Sequence, residues 1–282
     1  MNYRNKKNTT GNDTGIAAFP ARGVRAKKSL GQHFLHDATI AQRIVASLSG
    51  NAGTVLEVGP GMGVLTALLL QRTDITTYAA EIDKESIAYL QARFPAWGGR
   101  LIAGDFLALP LHDYFQTPFA VIGNFPYNIS SQIFFKVLEN RRQIPEVVGM
   151  IQKEVAERIA CRAGSKTYGI LSVLLQAYYR IEYLFTVHEH AFTPPPKVKS
   201  AVIRLTRNEV VQLDCDEQLF VKVVKTTFNQ RRKVIRNSIK ALTGTLALPE
   251  HRYFSMRPEQ LGVGEFVELT QIVERLQKIN AK

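Results

Sequence analysis

A glycine-rich loop and two acidic side chains stand where three predicted strands end, and together they could bind a nucleotide-type cofactor. The loop EVGPGMG (57–63) lies between a strand pattern and a helix pattern. Glycines there let a ligand approach the backbone, and the first N–H groups of the helix are free. Glu81 ends the next strand, where a carboxylate can accept both ribose hydroxyls. Asp105 ends the third strand, where an acceptor can recognise the adenine amino group.

The spacing of the glycines separates two classes of cofactor. A dinucleotide fingerprint needs G-x-G-x-x-G. The third glycine is replaced by Val64 when the motif is read from Gly59, and by Thr66 when it is read from Gly61. The spacing E-x-G-x-G-x-G instead resembles the first motif of Rossmann-like methyltransferases that bind S-adenosylmethionine. A nicotinamide oxidoreductase is therefore the least favoured alternative.

The stretch GNFPYN (123–128) directly follows the apolar run FAVI. Its N-F-P-Y resembles the [Asn/Asp/Ser]-Pro-Pro-aromatic signature of methyltransferases that act on exocyclic amino nitrogens. In that interpretation, the Asn124 oxygen and a backbone carbonyl fixed by Pro126 accept both N6–H bonds of adenine, so catalysis is mostly positioning and electrostatics. Tyr127 would stack on a base that has left its helical stack. The alternative is an Asn-capped turn with Tyr127 in the core.

Alternating strand and helix patterns must position these residues. Helix patterns lie between most of five strand patterns: TVLEV (54–58), TTYAAEI (76–82), RLIAGD (100–105), FAVIGN (119–124) and EVVGMI (146–151). This rhythm predicts a mostly parallel sheet with helices on both faces. Two later patterns, YLFTVH (183–188) and SAVIRLTR (200–207), predict an antiparallel, hairpin-like edge. A helix pattern at 39–48 has Asp37 as its predicted N-cap.

The patterns divide the chain into three parts. Residues 1–22 are polar and rich in Asn, Thr and Gly, which predicts a flexible tail. Residues 23–209 predict an α/β domain built on a Rossmann-like, S-adenosylmethionine-dependent methyltransferase sheet. Residues 210–282 carry helical patterns and predict a small C-terminal all-α domain.

Composition restricts the compartment and the partner. The 36 Lys and Arg exceed the 24 Asp and Glu, and the net charge of +12 favours nucleic acid over an anionic membrane surface. We expect no membrane helix and no secretory signal, because no apolar stretch is long enough for either. Cys161 and Cys215 fit neither a metal site nor a disulfide framework. This use of cysteine fits the reducing cytoplasm, where we expect the protein to act. His188 and His190 would share a strand face without a third ligand, so we expect no metal site.

Basic side chains are concentrated in two segments. The first holds Arg22, Arg25, Lys27 and Lys28. The second runs from residue 218 to 240 without an acid and holds Lys222, Lys225, Arg231, Arg232, Lys233, Arg236 and Lys240. Charge runs are usually solvated faces, but Arg232, Arg236 and Lys240 recur four residues apart and form one stripe if the segment is helical. Such a stripe suits the phosphate backbone of a structured RNA.

Taken together, the motifs resemble a known family. From about Lys27 onward the chain is similar to the small-subunit ribosomal RNA adenine N6,N6-dimethyltransferases, the bacterial type linked to kasugamycin sensitivity and related to erythromycin-resistance methylases. Nine blocks match in the expected order: KKSLGQHFLHD (27–37), EVGPGMG, EID, GDF, GNFPYNIS, QKEVAERI (152–159), SKTYGILSV (165–173), FTPPPKVKSAV (192–202) and FNQRRKVIRNSI (228–239). The ordered set is specific, whereas any single block is weak.

The resemblance implies roles for particular residues. The cofactor and amine roles fall to Gly59, Gly61, Glu81, Asp105 and Asn124. GQHFL supplies contacts near the methionine end of the cofactor through His33 and Leu35. Family members often have Asn in place of His33, and a backbone contact would survive that change. Phe192 resembles the aromatic residue that closes on the target base opposite Tyr127, whereas its propensity alone favours a place in the core. Phe125 is often Leu in the family, a change that we expect to be harmless.

The implied activity is the transfer of two methyl groups from S-adenosylmethionine to N6 of each of two adjacent adenosines in the hairpin loop near the 3′ end of 16S rRNA. The implied partner is the immature small ribosomal subunit, and the expected oligomeric state is a monomer. Two alternatives stay open: an assembly factor whose binding role matters more than catalysis, and a large-subunit rRNA methylase that confers macrolide resistance. The FTPPPKVKSAV block and the basic C-terminal segment favour a small-subunit substrate over a large-subunit one.

Overall fold

The computed structural model describes residues 24–244 and 246–280. The predicted tail at 1–22, with Arg22, lies outside these ranges. The strands are β1 (Phe34–Leu35), β2 (Thr54–Val58), β3 (Thr76–Glu81), β4 (Leu101–Ala103), β5 (Ala120–Asn124), β6 (Glu146–Gln152), β7 (Tyr179–Val187), β8 (Phe192–Thr193) and β9 (Ser200–Arg207). The α-helices are α1 (Ala38–Ala46), α2 (Val64–Leu69), α3 (Lys84–Arg93), α4 (Leu111–Tyr114), α5 (Ser130–Glu139), α6 (Lys153–Ala160), α7 (Ile170–Gln176), α8 (Glu217–Asn229), α9 (Ile235–Ser238), α10 (Lys240–Thr243) and α11 (Val263–Asn280).

Seven strands form one sheet in the order β4-β3-β2-β5-β6-β9-β7. The strands from β4 to β6 are parallel, whereas β9 runs antiparallel to both β6 and β7. The predicted parallel sheet with an antiparallel edge is confirmed. The chain builds outward from β2 to β4 and then returns to the other side of β2 with β5. The strand order therefore reverses between β2 and β5, which is where open α/β sheets form a ligand crevice.

Alternate residues of the central strands enter two separate hydrophobic clusters, one on each face of the sheet. Leu56 and Val121 belong to one cluster, and their neighbours Val55 and Ile122 belong to the other. This alternation follows from the two-residue period of a strand. Because both faces are covered, the central strands are apolar almost without interruption. Asp37 caps α1 as predicted, with its carboxylate accepting hydrogen bonds from the Thr39 and Ile40 amides.

The C-terminal helices continue the core of the sheet. The ring of Phe228 on α8 lies 6.2 Å from that of Tyr168 and 5.9 Å from that of Phe266 on α11. Residues from both sides of position 210 belong to one hydrophobic cluster. The architecture changes after β9 ends at Arg207, near the predicted boundary, and the separate domain at 210–282 stays a prediction. Among the described helices, none is long and apolar enough to cross a membrane.

The prediction of a single basic stripe is wrong. α8 ends at Asn229, Arg232 lies in the following turn, Arg236 is on α9, and Lys240 begins α10. The three side chains therefore do not share one helix face. The four-residue spacing of Arg232, Arg236 and Lys240 therefore does not produce a stripe along one helix, because Arg232 lies in a turn.

Tertiary contacts explain why the helix breaks in this basic run. The Lys233 amide donates to the Gln230 carbonyl and closes a turn, and the Ile235 amide donates to the Met256 carbonyl at 2.8 Å. The guanidinium of Arg231 contacts the Ser165 carbonyl and forms an ion pair with a carboxylate in the loop before α11. These long-range partners outweigh the local preference for one continuous helix.

Phe125 fills the space where β5 and β6 end. Its ring is fully buried and packs edge-on against Phe134, with 5.9 Å between ring centroids. A Cβ atom on Gly123 would lie 3.0 Å from this ring, and one on Gly149 would lie 2.6 Å from it. The two glycines thus make room for the aromatic side chain. The Phe125 ring is therefore part of the core, whereas its neighbours Asn124 and Pro126 line a cavity at the end of β5.

Phe125→Leu should reduce the free energy of unfolding by about 1.5 kcal/mol or less, because leucine keeps most of the buried apolar volume. Phe125→Ala should reduce it by about 3–5 kcal/mol, because the two glycines cannot fill the cavity that remains. Urea unfolding followed by circular dichroism measures both changes. Equal destabilisation by the two variants would contradict this account of the packing.

Candidate active site

A cavity opens at the carboxyl ends of β2, β3, β4 and β5, at the point where the strand order reverses. Most of its wall comes from five short segments: residues 30–35, 57–62, 80–82, 104–107 and 124–129. These segments include the glycine loop, both predicted acids and the NFPYN stretch. The structure therefore brings together features that are up to about 90 residues apart in the sequence.

The glycine loop lies between the 27–37 block and the NFPY sequence. Gly61 has a φ of 56°, and a Cβ atom there would lie 2.9 Å from the Phe34 ring. Gly59 has a φ of 66°, and its nearest neighbour in that direction is the Pro126 ring. Positive φ angles favour glycine at both positions. The loop is thus covered by the 27–37 block on one side and faces NFPY on the other.

Glu81 is held by backbone donors. Its carboxylate accepts hydrogen bonds from the amides of Gly61 at 3.1 Å, Ile82 at 2.9 Å and Asp83 at 2.8 Å. Burial raises the pKa of Glu81, and the three backbone bonds oppose that rise. The carboxylate is thereby fixed at the cavity wall. Oε1 already accepts the Ile82 and Asp83 amides, whereas Oε2 accepts only the Gly61 amide and keeps a lone pair for a ligand.

The third strand end supplies a second acceptor and an apolar surface. Asp105 is exposed and lines the cavity, with one oxygen accepting the Leu107 amide at 2.9 Å. Ile82 and Leu107 also line the cavity, and Ile82 is 52% exposed. An exposed large apolar side chain beside two carboxylates suits a flat ring with polar edges. Apart from its position after Glu81, nothing in the sequence pattern indicated a role for Ile82.

Glu57 is a cavity residue that the analysis of the sequence did not single out, although it opens the glycine motif. Its side chain is 2% exposed, and its carboxyl accepts a hydrogen bond from the Thr66 hydroxyl at 2.6 Å. Burial, opposed by the Thr66 hydrogen bond and aided by the nearby charge of Glu81, raises the pKa of Glu57 to about 8. The feature of the sequence that could have identified Glu57 is an acidic residue within the otherwise apolar strand pattern TVLEV.

Asn124 donates its side-chain NH₂ to the His33 carbonyl at 2.8 Å. This bond fixes the amide orientation and leaves the side-chain oxygen as an acceptor. The Pro126 carbonyl is occupied by the Ile129 amide at 3.2 Å, whereas within the described residues no hydrogen bond uses the Phe125 carbonyl. The carbonyl available beside Asn124 is therefore the one that precedes the proline.

Tyr127 is held at both ends of its ring. Its hydroxyl lies 2.5 Å from the Ser200 hydroxyl at the start of β9, and its ring centroid lies 5.4 Å from that of His33. Burial raises the pKa of the Tyr127 phenol. Tyr127 is half-buried and lines the cavity, so one part of its ring remains available to a ligand.

His33 contributes both backbone and side chain. Its carbonyl receives the Asn124 amide, and its Nδ1 lies 2.8 Å from the Pro194 carbonyl. The contact expected to survive an exchange of His33 for Asn is thus the backbone one. The imidazole serves a different partner, the proline-rich segment before β9.

Phe192 does not line the cavity. It pairs with Leu35 across the two-stranded β1–β8 ladder and is 2% exposed in the core cluster beneath the sheet. Alternation along β8 leaves Thr193 exposed and turns Phe192 inward. Leu35, in contrast, lines the cavity as predicted. A role for Phe192 against a base stays a prediction.

Residues 27–35 form an N-terminal arm that is held against the active site by ion pairs and close contacts. Lys27 forms ion pairs with Asp83, whose side chain is buried, and with Glu85 at 3.2 Å. A Cβ atom on Gly31 would lie 2.6 Å from the Asn128 side chain, so the arm also contacts the NFPYN stretch closely. These contacts place His33 and its carbonyl.

The six predicted RNA-binding residues lie away from the cavity wall, on α8, α9 and the turn between them: Lys222, Lys225, Arg231, Arg232, Lys233 and Arg236. All are exposed except Arg231, which is half-buried beside Glu259. Contact of these residues with RNA stays a prediction. His188 and His190 stack on each other beyond the end of β7. In residues 24–244 and 246–280, no group of three or more His, Cys, Asp and Glu is arranged to hold a metal ion.

Glu57→Gln should make the protein's stability less sensitive to alkaline pH. Because the folded-state pKa of about 8 exceeds the ordinary 4.5, the native state binds more protons between these values. The free energy of unfolding therefore falls as pH rises from about 5 to 9, on the order of 3 to 5 kcal/mol from this group. Glutamine keeps an acceptor for Thr66 and does not titrate.

Thermal unfolding at pH 5, 7 and 9 tests this. The stability of Glu57→Gln relative to the unmodified protein should rise steadily over that range. The matched control Glu139→Gln changes an exposed carboxyl on α5 and should show no such trend. Parallel pH profiles for Glu57→Gln and the unmodified protein would disprove the assignment.

Solved structures with similar folds include two that cover most of the chain. One is a dimethyladenosine transferase from Plasmodium falciparum, with a TM-score of 0.70, 22% identity, and coverage of 87% of this chain and 98% of that chain. Another is the 23S rRNA methyltransferase ErmE, with a TM-score of 0.61, 26% identity, and coverage of 84% and 99%. The predicted Rossmann-like methyltransferase sheet with a helical C-terminal region is confirmed.

Sequence comparison gives closer relatives. The chain is 58% identical over 258 residues to the ribosomal RNA small subunit methyltransferase A of Bacteroides thetaiotaomicron, covering 90% of this chain and 96% of the relative. It is 59% identical over 260 residues to the protein of the same name from Parabacteroides distasonis, again covering 90% and 96%. Residues 23–270 match the model of the ribosomal RNA adenine dimethylase family. The chain therefore belongs to the ribosomal RNA adenine dimethylase family.

Proposed function

We propose that this enzyme uses S-adenosylmethionine to dimethylate N6 of two adjacent adenosines in the hairpin loop near the 3′ end of 16S rRNA. The names of its relatives, at 58% and 59% identity, support a small-subunit rRNA substrate. The observation that carries the proposal is the Asn124 amide. Its NH₂ is bound to the His33 carbonyl, which leaves the oxygen to accept a hydrogen bond from an amine.

The cavity residues fit S-adenosylmethionine. Glu81, held by three backbone amides, would accept the ribose hydroxyls, and Asp105 would accept the adenine amine. Ile82 and Leu107 would contact the faces of the adenine ring. Glu57 would interact with the positively charged methionine end, which also favours its ionised form. The role of the cofactor is to supply an electrophilic methyl group on sulfur.

The target amine would be held by two acceptors. The Asn124 side-chain oxygen and the Phe125 carbonyl, which Pro126 keeps rigid, would accept the two N6–H bonds of adenine. The nitrogen lone pair is then drawn out of conjugation with the ring and turned toward the methyl group. Each transfer would form one N–C bond and break the bond between the methyl group and sulfur, so that a neutral thioether leaves. The resulting cationic nitrogen is acidic and would release one proton to water, so no strong general base is needed.

The first methylation changes the demand on these acceptors. The monomethylated amine has a single N–H, so one acceptor suffices to hold it for the second transfer. The wall formed by Tyr127 would position the ring in both steps, because the base must leave its helical stack before the amine can reach the cavity. Ser200 and His33 fix this wall by their contacts with Tyr127.

The remaining parts of the proposal concern the particle. The exposed basic residues of α8, α9 and the intervening turn would bind phosphates of the immature small subunit in the cytoplasm, within a helical RNA-binding domain at 210–282. A monomer without a bound metal would suffice for this role. The large-subunit alternative has less support, because the relatives at 58% and 59% identity are named for the small subunit.

The test uses purified, unmethylated small subunits and S-adenosylmethionine with a labelled methyl group, followed by mapping of the modified bases. We expect label on N6 of two adjacent adenosines in the 3′-terminal hairpin of 16S rRNA. Absence of label from that hairpin would contradict the proposal, and so would label that appears only when large subunits are assayed in parallel.

Asn124→Ala should lower kcat for methylation about 10²- to 10³-fold, since it removes one preorganised acceptor at the reacting amine. Binding of S-adenosylmethionine, measured by calorimetry, should change less than about threefold. The matched control Asn140→Ala removes a side-chain amide at the end of α5 and should retain activity. Activity of Asn124→Ala equal to that of the control would show that the side chain does not hold the amine.

A further inference from the structure

The proline-rich segment between β8 and β9 is anchored to the active site at both ends. The Pro194 carbonyl lies 2.8 Å from Nδ1 of His33, and the Ser200 hydroxyl lies 2.5 Å from that of Tyr127. A third hydrogen bond runs from the Lys153 amide to the Lys199 carbonyl at 2.9 Å. The segment is therefore fixed beside His33 and Tyr127, which line the cavity.

The middle of this segment presents two lysines on either side of a valine. Lys197, Val198 and Lys199 are all exposed, and the side chain of Val198 is 40% exposed although it is apolar. Within the described part of the chain, neither lysine forms an ion pair. Other lysines near the site do, as Lys27 does with Asp83 and Lys153 with Glu157.

The two lysines are within reach of a nucleic acid strand that enters the cavity. Lys197 is three residues from both anchored positions, so its Cα lies within about 11 Å of each. A base that enters the cavity brings its neighbouring phosphates to the rim. Cations on a fixed segment can bind these phosphates without the entropic cost of ordering a loop.

We infer that Lys197, Val198 and Lys199 form a binding site for the RNA strand that flanks the target nucleotide. Lys197 and Lys199 bind phosphate groups beside the extruded adenosine, and Val198 contacts the sugar or base of a neighbouring nucleotide. This site deepens the proposed function and rests on it. It differs from the basic surface of α8 and α9, because the hydrogen bonds to His33 and Tyr127 come from the proline-rich segment and not from that surface.

The anchors link phosphate binding to the base site. The segment that carries the lysines also contacts His33 and Tyr127, which form the wall for the base. Strand and base are therefore held by one rigid unit. Loss of the lysines should weaken RNA binding but leave the chemistry of a bound adenosine nearly unchanged.

The experiment measures binding of unmethylated small subunits as a function of KCl concentration, for Lys197→Gln/Lys199→Gln and for the unmodified enzyme. Two lost phosphate contacts should reduce the magnitude of the slope of log K against log [KCl] by about 1.4 to 1.8. We expect KM for the particle to rise at least about tenfold near 150 mM salt, with kcat within about twofold. Calorimetry should show unchanged affinity for S-adenosylmethionine.

The matched control is Arg142→Gln/Arg180→Gln, which removes two exposed charges near the amino end of β6, at the edge of the sheet opposite to the cavity. This control should shift the slope much less than the Lys197/Lys199 pair. Equal slopes for the Lys197/Lys199 variant and the unmodified enzyme would overturn the inference, as would an equal loss in the Arg142/Arg180 control. Failure of the unmodified enzyme to methylate the particle would instead refute the proposed function, so the two failures are distinguishable.

Discussion

The hydrogen bond from the Asn124 amide to the His33 carbonyl is the interaction on which the site depends. It joins the end of β5 to a segment 91 residues earlier in the chain. It also settles which atom of the amide faces the ligand, because a side chain whose NH₂ is already used can offer only its oxygen. A half-buried amide of fixed orientation is a preorganised acceptor, which is what a weakly nucleophilic amine requires.

The rest of the arm keeps this carbonyl in place. Lys27 is paired with the buried carboxylate of Asp83, Gly31 lies against Asn128, and the ring of Phe34 covers Gly61. Gly31, Asn128, Phe34 and Gly61 also line the cavity, and each of these contacts restricts where the His33 carbonyl can lie. The same logic applies on the far side, where Ser200 restricts Tyr127. The site is thus built as a set of rigid contacts between distant segments rather than as one flexible loop.

Much of this arrangement could be predicted from the sequence, because the relevant signals are local. The apolar strands and the features at their carboxyl ends follow from periodicity and from the rule that parallel strands end at one edge. Contacts that depend on tertiary packing could not be predicted. The buried position of Phe192 follows from its pairing with Leu35, and the break after α8 follows from partners such as Met256. The raised pKa of Glu57 depends on burial that the strand pattern alone did not reveal.

In the proposed complex, the Asn124 oxygen accepts a hydrogen bond from the target amine while the NH₂ remains on the His33 carbonyl. A crystal structure of the enzyme with S-adenosylhomocysteine and an adenosine-containing RNA hairpin would reveal both contacts. We expect an N6 to Asn124 oxygen distance of about 2.7–3.2 Å, with the bond to His33 intact. A distance beyond about 4 Å, or an amide released from His33 and turned toward the base with its nitrogen, would contradict it.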